Sequence, residues 1–104
     1  MHLQILQILL GLLEGPATAS DLTDAIARFD EGREPSLATF YRQLSQAEES
    51  GLIAIEEWES PSGPGRPSQR YRITSAGREA AQSEARRLRR LAEVVIAADR
   101  QAEV

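Results

Sequence analysis

The first part of the chain carries apolar positions at helical spacing, separated by short breaks. Residues 3–13 are apolar except at Gln4, Gln7 and Gly11, which recur every three or four residues and form one narrow stripe on an otherwise apolar helix. A Gly-Pro pair then ends this helix. Because a small domain does not need so much apolar surface on an outer helix, the pattern predicts that a second chain covers part of it.

Two further helices are predicted, each preceded by a residue that can cap it. Thr18 or Ser20 is a candidate cap for the second helix and Ser36 for the third. The polar stretch 30–35 separates them, and Gly51 suits the left-handed position just past the third helix. The stripes expected in the core are Leu22, Ile26 and Phe29 in the second helix, and Leu37, Phe40, Leu44 and Ala47 in the third.

The period then changes from helical to alternating. Ile53 and Ile55 alternate with polar or small residues, and Tyr71 and Ile73 alternate with arginines, as in half-buried strands. The intervening residues 60–68 are too long and too rich in proline for a tight turn. The sequence therefore predicts a two-stranded hairpin with a projecting loop.

The last part of the chain predicts one long helix, capped by Thr74 or Ser75 and running to about residue 101. Such a helix would span roughly 40 Å, more than a domain of this size needs. Its apolar positions recur at spacings of four and three, which favours packing against a second copy over folding back on its own domain. The expected dimer contacts are Leu6, Leu9, Leu10, Leu88, Leu91, Ala92 and Val95.

The order helix, helix, helix, strand, loop, strand is that of a winged helix-turn-helix. We therefore expect a mainly α fold with a small β-hairpin, in which residues 1–74 form a DNA-binding domain and residues 75–104 a dimerisation helix.

The distribution of charge changes the picture that the net charge gives. The chain is acidic, with a net charge of −4, and residues 1–59 hold three arginines against eleven acidic residues. Residues 60–78, by contrast, hold four arginines and no acidic residue. The net charge argues against nucleic-acid binding, but phosphate contacts depend on local cations. The arginine-rich segment 60–78 therefore keeps nucleic-acid binding possible.

Composition also narrows the function classes. There is no cysteine, the single histidine is His2, and no phosphate-binding glycine motif or placed carboxylate pair is visible. We therefore expect that the protein is not an enzyme and that it binds neither a metal nor a cofactor. The apolar run 3–13 is too short to cross a bilayer and lacks the features of a signal peptide, so a cytoplasmic protein is expected.

The polar face of the third helix is the candidate DNA-reading surface. In a helix-turn-helix this helix lies in the major groove, where arginine pairs with guanine and glutamine with adenine, while hydroxyls bind phosphate. An arginine in the wing can approach the backbone or the minor groove. The expected DNA-binding residues are Ser36, Thr39, Tyr41, Arg42, Gln43, Gln46, Arg66 and Arg70.

Each of these signals has a plainer interpretation. A polar helix face can simply be solvated, and Arg70 and Arg72 can pair across the hairpin with Glu56, Glu57 and Glu59. The acidic first half also leaves open a winged-helix module that binds a protein and no DNA.

Three stretches resemble the PadR-like transcriptional regulators: ILQILLGLLEGP, PSLATFYRQLSQAEESGLI and GRPSQRYRITSAGREA. The resemblance implies a dimeric winged-helix repressor of double-stranded DNA, with its recognition helix at Ser36 to Ser50 and its wing at Ser60 to Gln69. It implies that Thr39 and Tyr41 face the DNA backbone and that Arg66 is the basic residue of the wing tip. Two-fold symmetry would then predict a pseudo-palindromic operator.

The resemblance also implies a small hydrophobic effector at the dimer interface. Trp58, the only tryptophan, either lines such a site or packs a strand end. Two departures from the family pattern are visible. Residues 17–20 read Ala-Thr-Ala-Ser where His-Gly-Tyr is usual, and Arg42 stands where many members have proline.

Overall fold

The computed structural model of the chain describes residues 1–59 and 67–102, without the side chains of residues 58, 59, 67 and 68. Three helices come first, at Leu3–Leu12 (α1), Ala19–Phe29 (α2) and Leu37–Glu49 (α3). The strands Ile53–Glu59 (β1) and Pro67–Ile73 (β2) pair antiparallel, and the helix Ser75–Ala102 (α4) follows. These elements confirm the predicted fold class, a mainly helical winged helix-turn-helix with a small hairpin.

The core forms where α1 lies between α2, α3 and the hairpin. Its largest fully buried side chains are Phe40, Ile8, Leu9, Leu12, Leu22 and Ile53. Leu6 is also buried in this core, at 8% exposure. Leu6 and Leu9 were expected to face a partner subunit, but in the protomer both lie in the core, because α1 packs against α2, α3, α4 and β2. Leu10, on the other side, is exposed.

Two residues expected in the core lie at helix ends and are exposed. Phe29, the last residue of α2, is 53% exposed, and Leu37, the first residue of α3, is 63% exposed. The prediction was wrong because each apolar stripe extends one turn beyond the neighbouring helices that cover it. The buried stripe of α3 is therefore Phe40, Leu44 and Ala47.

Helix caps lie where the sequence predicts them. Thr18 Oγ1 accepts a hydrogen bond from the Asp21 amide at 3.1 Å, and the Asp21 carboxylate accepts one from the Thr18 amide at 3.2 Å, which forms a capping box at the start of α2. Ser36 occupies the N-cap position of α3, although its side chain makes no capping hydrogen bond. Gly51 has a φ of 74°, the left-handed conformation expected after α3.

The hairpin is attached to the helices at both of its ends. Tyr71 and Ala17 exchange two backbone hydrogen bonds, of 2.7 and 3.0 Å, which join β2 to the linker between α1 and α2. Thr74 caps α4 by accepting from the Gly77 amide at 3.0 Å, and its hydroxyl donates to the Gly51 carbonyl at 2.6 Å. These bonds hold the base of the hairpin against the α1–α2 linker and against Gly51, which follows α3.

The helix α4 begins on the core and then leaves it. Gly77, Ala81 and Glu84 are its buried residues, whereas every residue from 85 to 102 is exposed. The overall dimensions of 66 × 28 × 23 Å reflect this projecting helix. Among the described helices, none combines the length and apolar character that crossing a membrane requires.

Candidate nucleic-acid interface

The exposed face of α3 carries the polar residues that the sequence assigns to DNA. Ser36, Tyr41, Arg42 and Gln46 are exposed, and Thr39 and Gln43 are half-buried at the edge of the face. The buried stripe of Phe40, Leu44 and Ala47 fixes the rotation of the helix, so this polar face must point away from the core. Ala38 and Ser45 also lie on it, and the sequence analysis missed them because small residues carry no signal of their own.

The amino end of α3 is suited to phosphate. The first amide groups of a helix have no partner within the helix and lie at the positive end of its dipole. The Ser36 hydroxyl makes no capping hydrogen bond, and Ser36 is exposed. No acidic residue lies in α3 before Glu48, in its last turn, so the approach of an anion to this end is unopposed by the helix itself.

Tyr41 and Tyr71 lie where α3 meets the hairpin. The Tyr41 ring packs edge-on against Phe40, with ring centroids 5.2 Å apart, so the core holds one side of an otherwise exposed ring. Partial burial raises the pKa of Tyr71, and the charge of Glu48 and the neighbouring Tyr41 raise it further. The Tyr71 hydroxyl therefore stays protonated at neutral pH and can act as a hydrogen-bond donor.

The register of the hairpin gives its two described arginines different surroundings. Arg70 lies opposite Glu56, and a nitrogen of its guanidinium is 2.9 Å from the Glu56 carboxylate. Arg72 lies opposite Ala54. The interpretation that a cross-strand glutamate pairs with each arginine is thus confirmed for Arg70 and wrong for Arg72. The alternation of residues along a strand could not predict this difference, because it does not specify the register of the two strands.

Three further sequence assignments concern the wing and the end of the chain. Arg66, the predicted wing-tip contact, lies outside the described residues, as does the side chain of Trp58. His2 is placed: its Nδ1 accepts a hydrogen bond from the Gln4 amide at 3.1 Å and caps α1. Within the described part of the chain, no group of His, Cys, Asp or Glu side chains is arranged to hold a metal ion.

A second surface, distinct from the α3 face, is apolar. On α4 it consists of Leu88, Leu91, Val94, Val95 and Ile96, which are between 38% and 67% exposed. Leu3 and Leu10 of α1, and Leu13 just after it, are also exposed. Exposed apolar side chains are typical of a protein–protein contact where they form one patch.

Comparison with known proteins agrees with this architecture. The sequence profile of the transcriptional regulator PadR-like family matches residues 8–83. No curated protein sequence matches the chain.

Solved structures share the fold over most of the chain. A transcriptional regulator from Clostridium thermocellum is 19% identical, with a TM-score of 0.76 over 88% of this chain and 85% of that one. A PadR family transcriptional regulator from Eggerthella lenta is 26% identical, with a TM-score of 0.72 over 88% and 76%. Bacillus subtilis PadR in complex with operator DNA is 17% identical, with a TM-score of 0.70 over 82% of this chain and 48% of that one.

The family match runs from the middle of α1, through α3 and the hairpin, into the first turns of α4. It therefore covers α2, α3, β1 and β2 in full, with parts of α1 and α4. The chain belongs to the transcriptional regulator PadR-like family.

Proposed function

We propose that the chain is a homodimeric, sequence-specific DNA-binding repressor. The single observation that carries this proposal is the outward face of α3, which presents Arg42 and Gln46 beside hydroxyl groups and holds its acidic residues at the far end. Arginine and glutamine can each make paired hydrogen bonds to a base edge in the major groove. The similar Bacillus subtilis PadR is bound to operator DNA, which supports the proposal.

The proposed DNA contacts combine positioning with base reading. Ser36, Thr39 and Tyr41 would bind phosphate, while Arg42, Gln43 and Gln46 would meet base edges. The arginines of the hairpin would approach the backbone. In this arrangement residues 1–74 bind DNA and residues 75–104 dimerise.

The dimer is proposed from the apolar surface of α1 and α4. Leu88 and Leu91 lie on α4 beyond the point where it leaves the core, and the described part of the protomer leaves both exposed. Since α4 extends well past its own domain, the simplest way to bury these side chains is contact with a second copy related by a two-fold axis. A two-fold dimer would bind a pseudo-palindromic operator.

A small hydrophobic effector that relieves repression would bind where two protomers meet. The described groove of about 390 Å³ on α4 does not fit that role, because Ser83, Arg86, Arg89, Arg90 and Glu93 line it. An effector site at the proposed dimer interface would draw side chains from both protomers. Because the proposed target is the DNA of the cell itself, we propose that the protein is located in the cytoplasm.

Binding to the DNA upstream of its own coding region tests the function. Fluorescence anisotropy should show binding that weakens as salt rises, because cationic side chains release counterions from phosphate. Arg42→Ala should weaken specific binding by roughly 5- to 150-fold, the range of one bidentate base contact. Arg100→Ala, a change of the same residue type in the last turn of α4, is the matched control and should bind like the wild type.

The competing function is a winged-helix module that binds a protein instead of DNA. The excess of acidic residues in the first 59 residues favours it. This alternative would be supported, and the repressor rejected, if the protein bound the upstream DNA no more tightly than competitor DNA at low salt and if Arg42→Ala left that affinity unchanged.

A further inference from the structure

Leu37 lies outside the hydrophobic core of the described protomer. It is the first residue of α3 and is 63% exposed, although its place in the apolar stripe predicts burial. The core stripe of α3 is complete without it. A large apolar side chain at the amino end of α3 is therefore available for contact with another molecule.

Leu37 is part of a small apolar strip. Tyr41 lies one turn further along the same side of α3 and is 52% exposed, and Ala38, next to Leu37, is exposed as well. We call Leu37, Ala38 and Tyr41 the α3 apolar strip. Ala38 is in turn one helical turn before Arg42, so the strip runs beside the residue with the strongest base-reading chemistry.

The major groove offers one apolar group to such a strip. Among the base edges only thymine carries a methyl group there, at C5, and apolar side chains distinguish thymine by contacting it. The residues nearest the bases in a helix-turn-helix are those at the amino end of the recognition helix. Leu37, at the first position of α3, is therefore the apolar side chain best placed for this contact.

We infer that Leu37 reads a thymine in each operator half-site through the thymine 5-methyl group, beside the base pair that Arg42 contacts. This inference rests on the proposed DNA-binding function and adds a specificity-determining residue to it. Ala38, the neighbour of Leu37 in the α3 apolar strip, would complete the apolar wall around that methyl group.

The test removes the methyl group alone. DNA selected by the protein from a random pool is resynthesised with deoxyuridine in place of each half-site thymidine in turn, which changes no hydrogen-bonding group. At one position, replacing thymidine with deoxyuridine should lower the affinity of the wild type about fourfold, which is the expected effect of one buried methyl-sized group. Leu37→Ala should bind normal DNA about fourfold more weakly and should be insensitive to deoxyuridine at that position only.

Two controls make the outcome specific. Leu37→Met keeps a long apolar side chain and should retain sensitivity to the missing methyl group. Because Leu37 is exposed, Leu37→Ala should melt and sediment like the wild type.

Each alternative outcome overturns the inference. If the selected DNA is bound specifically but Leu37→Ala responds to every deoxyuridine as the wild type does, Leu37 does not read thymine and the repressor proposal stands. If Leu37→Ala changes the oligomeric state, the strip is a protein contact. If no DNA is selected at all, the DNA-binding function fails and the inference fails with it.

Discussion

Arg70 and Arg72 project from the same face of β2 but meet different residues on β1. The Arg70 guanidinium lies against the Glu56 carboxylate, whereas the residue opposite Arg72 is Ala54. A carboxylate held beside an arginine cancels much of the attraction that the arginine exerts on phosphate. The two positions should therefore contribute unequally to DNA binding.

We predict that Arg72→Ala weakens DNA binding at low salt more than Arg70→Ala does. Arg72→Ala should also reduce the slope of log affinity against log salt by about one, the value of a single phosphate contact. Salt titrations of both variants by fluorescence anisotropy measure this. Equal losses in the two variants, or a larger loss for Arg70→Ala, would show that the cross-strand pair does not govern the charge of the hairpin.

Glu84 is a buried carboxylate on α4. Its side chain is 7% exposed, accepts a hydrogen bond from Arg87 and lies 3.0 Å from the amino group of Met1. The hydrogen bond from Arg87, followed by that from the Met1 amino group, holds the pKa of Glu84 below its ordinary value. A carboxyl group with a lowered pKa stabilises the fold above its unfolded pKa, and this stabilisation is lost as the pH falls through the folded pKa.

Glu84→Gln should therefore lower the melting temperature at pH 7, and the difference from the wild type should shrink as the pH falls below about 4, near the pKa of an unfolded glutamate. Thermal melts followed by circular dichroism between pH 7 and pH 3 give this comparison. Glu79→Gln, at an exposed glutamate earlier on α4, is the matched control and should show little difference at any pH. A Glu84→Gln penalty that stays constant with pH would exclude the ionic contribution.

Individual residues were predictable from the sequence where a local pattern decides their role. The capping role of Thr18 and the left-handed Gly51 follow from neighbouring residues alone. The surroundings of Arg72 were not predictable, because they depend on strand register. The exposure of Leu37 was not predictable either, since a stripe does not show where its covering helices end.

At the scale of elements, the junction between α4 and the hairpin sets the direction of the long helix. Gly77 lies in the first turn of α4, and a Cβ atom there would overlap the backbone carbonyl oxygen of Leu52 and lie 2.8 Å from Cγ1 of Ile73. The backbone of Leu52 cannot move away easily, because its carbonyl also accepts from the Thr74 amide at 3.1 Å. Only glycine allows α4 to start this close to the core.

Overpacking usually costs about 1–3 kcal/mol, and alanine gains about 1 kcal/mol over glycine in a helix interior. Because the added Cβ of Gly77→Ala meets backbone that cannot move easily, we expect the free energy of unfolding to fall by up to about 2 kcal/mol. Chemical denaturation measures the difference. Gly11→Ala is the matched control with a smaller expected loss, because its new methyl would meet only the end of the Leu22 side chain, at 2.9 Å.

A Gly77→Ala variant as stable as the wild type would contradict the tight junction.

The elements themselves were largely predictable because their signals are periodic. The six elements occur in the predicted order, and α4 ends within a residue or so of the expected position. The periodicity of α1 could not separate core from interface, since Leu9 and Leu10 have the same chemistry and only tertiary packing buries the first and exposes the second. The α3 face was predictable from its polar residues, whereas Ala38 and Ser45 required the structure.

At the scale of the whole molecule, the protomer has an apolar end that its own fold leaves open. Every residue of α4 from 85 onward is exposed, and Leu88, Leu91, Val94, Val95 and Ile96 lie in that stretch. Covering these side chains would remove apolar surface from water, which drives association. The same stretch contributes no side chain to the core of the winged helix-turn-helix.

If the proposed dimer forms through α4, the double substitution Leu88→Asp and Leu91→Asp should convert it to a monomer. Sedimentation velocity measures the change, and circular dichroism should show that the core fold remains, because both residues lie beyond the core. Arg86→Asp with Arg90→Asp, on the arginine-rich side of α4, is the matched control and should remain dimeric. A Leu88 and Leu91 double variant that still sediments as a dimer would place the interface elsewhere.

The central claim, that two copies of the α3 face read a symmetric DNA site, is tested most directly by sequencing the DNA that the protein selects from a random pool. We expect an enriched inverted repeat whose half-site centres lie about 10 bp apart, or a multiple of that distance. Failure to enrich any sequence, or enrichment of a site without inverted symmetry, would contradict it.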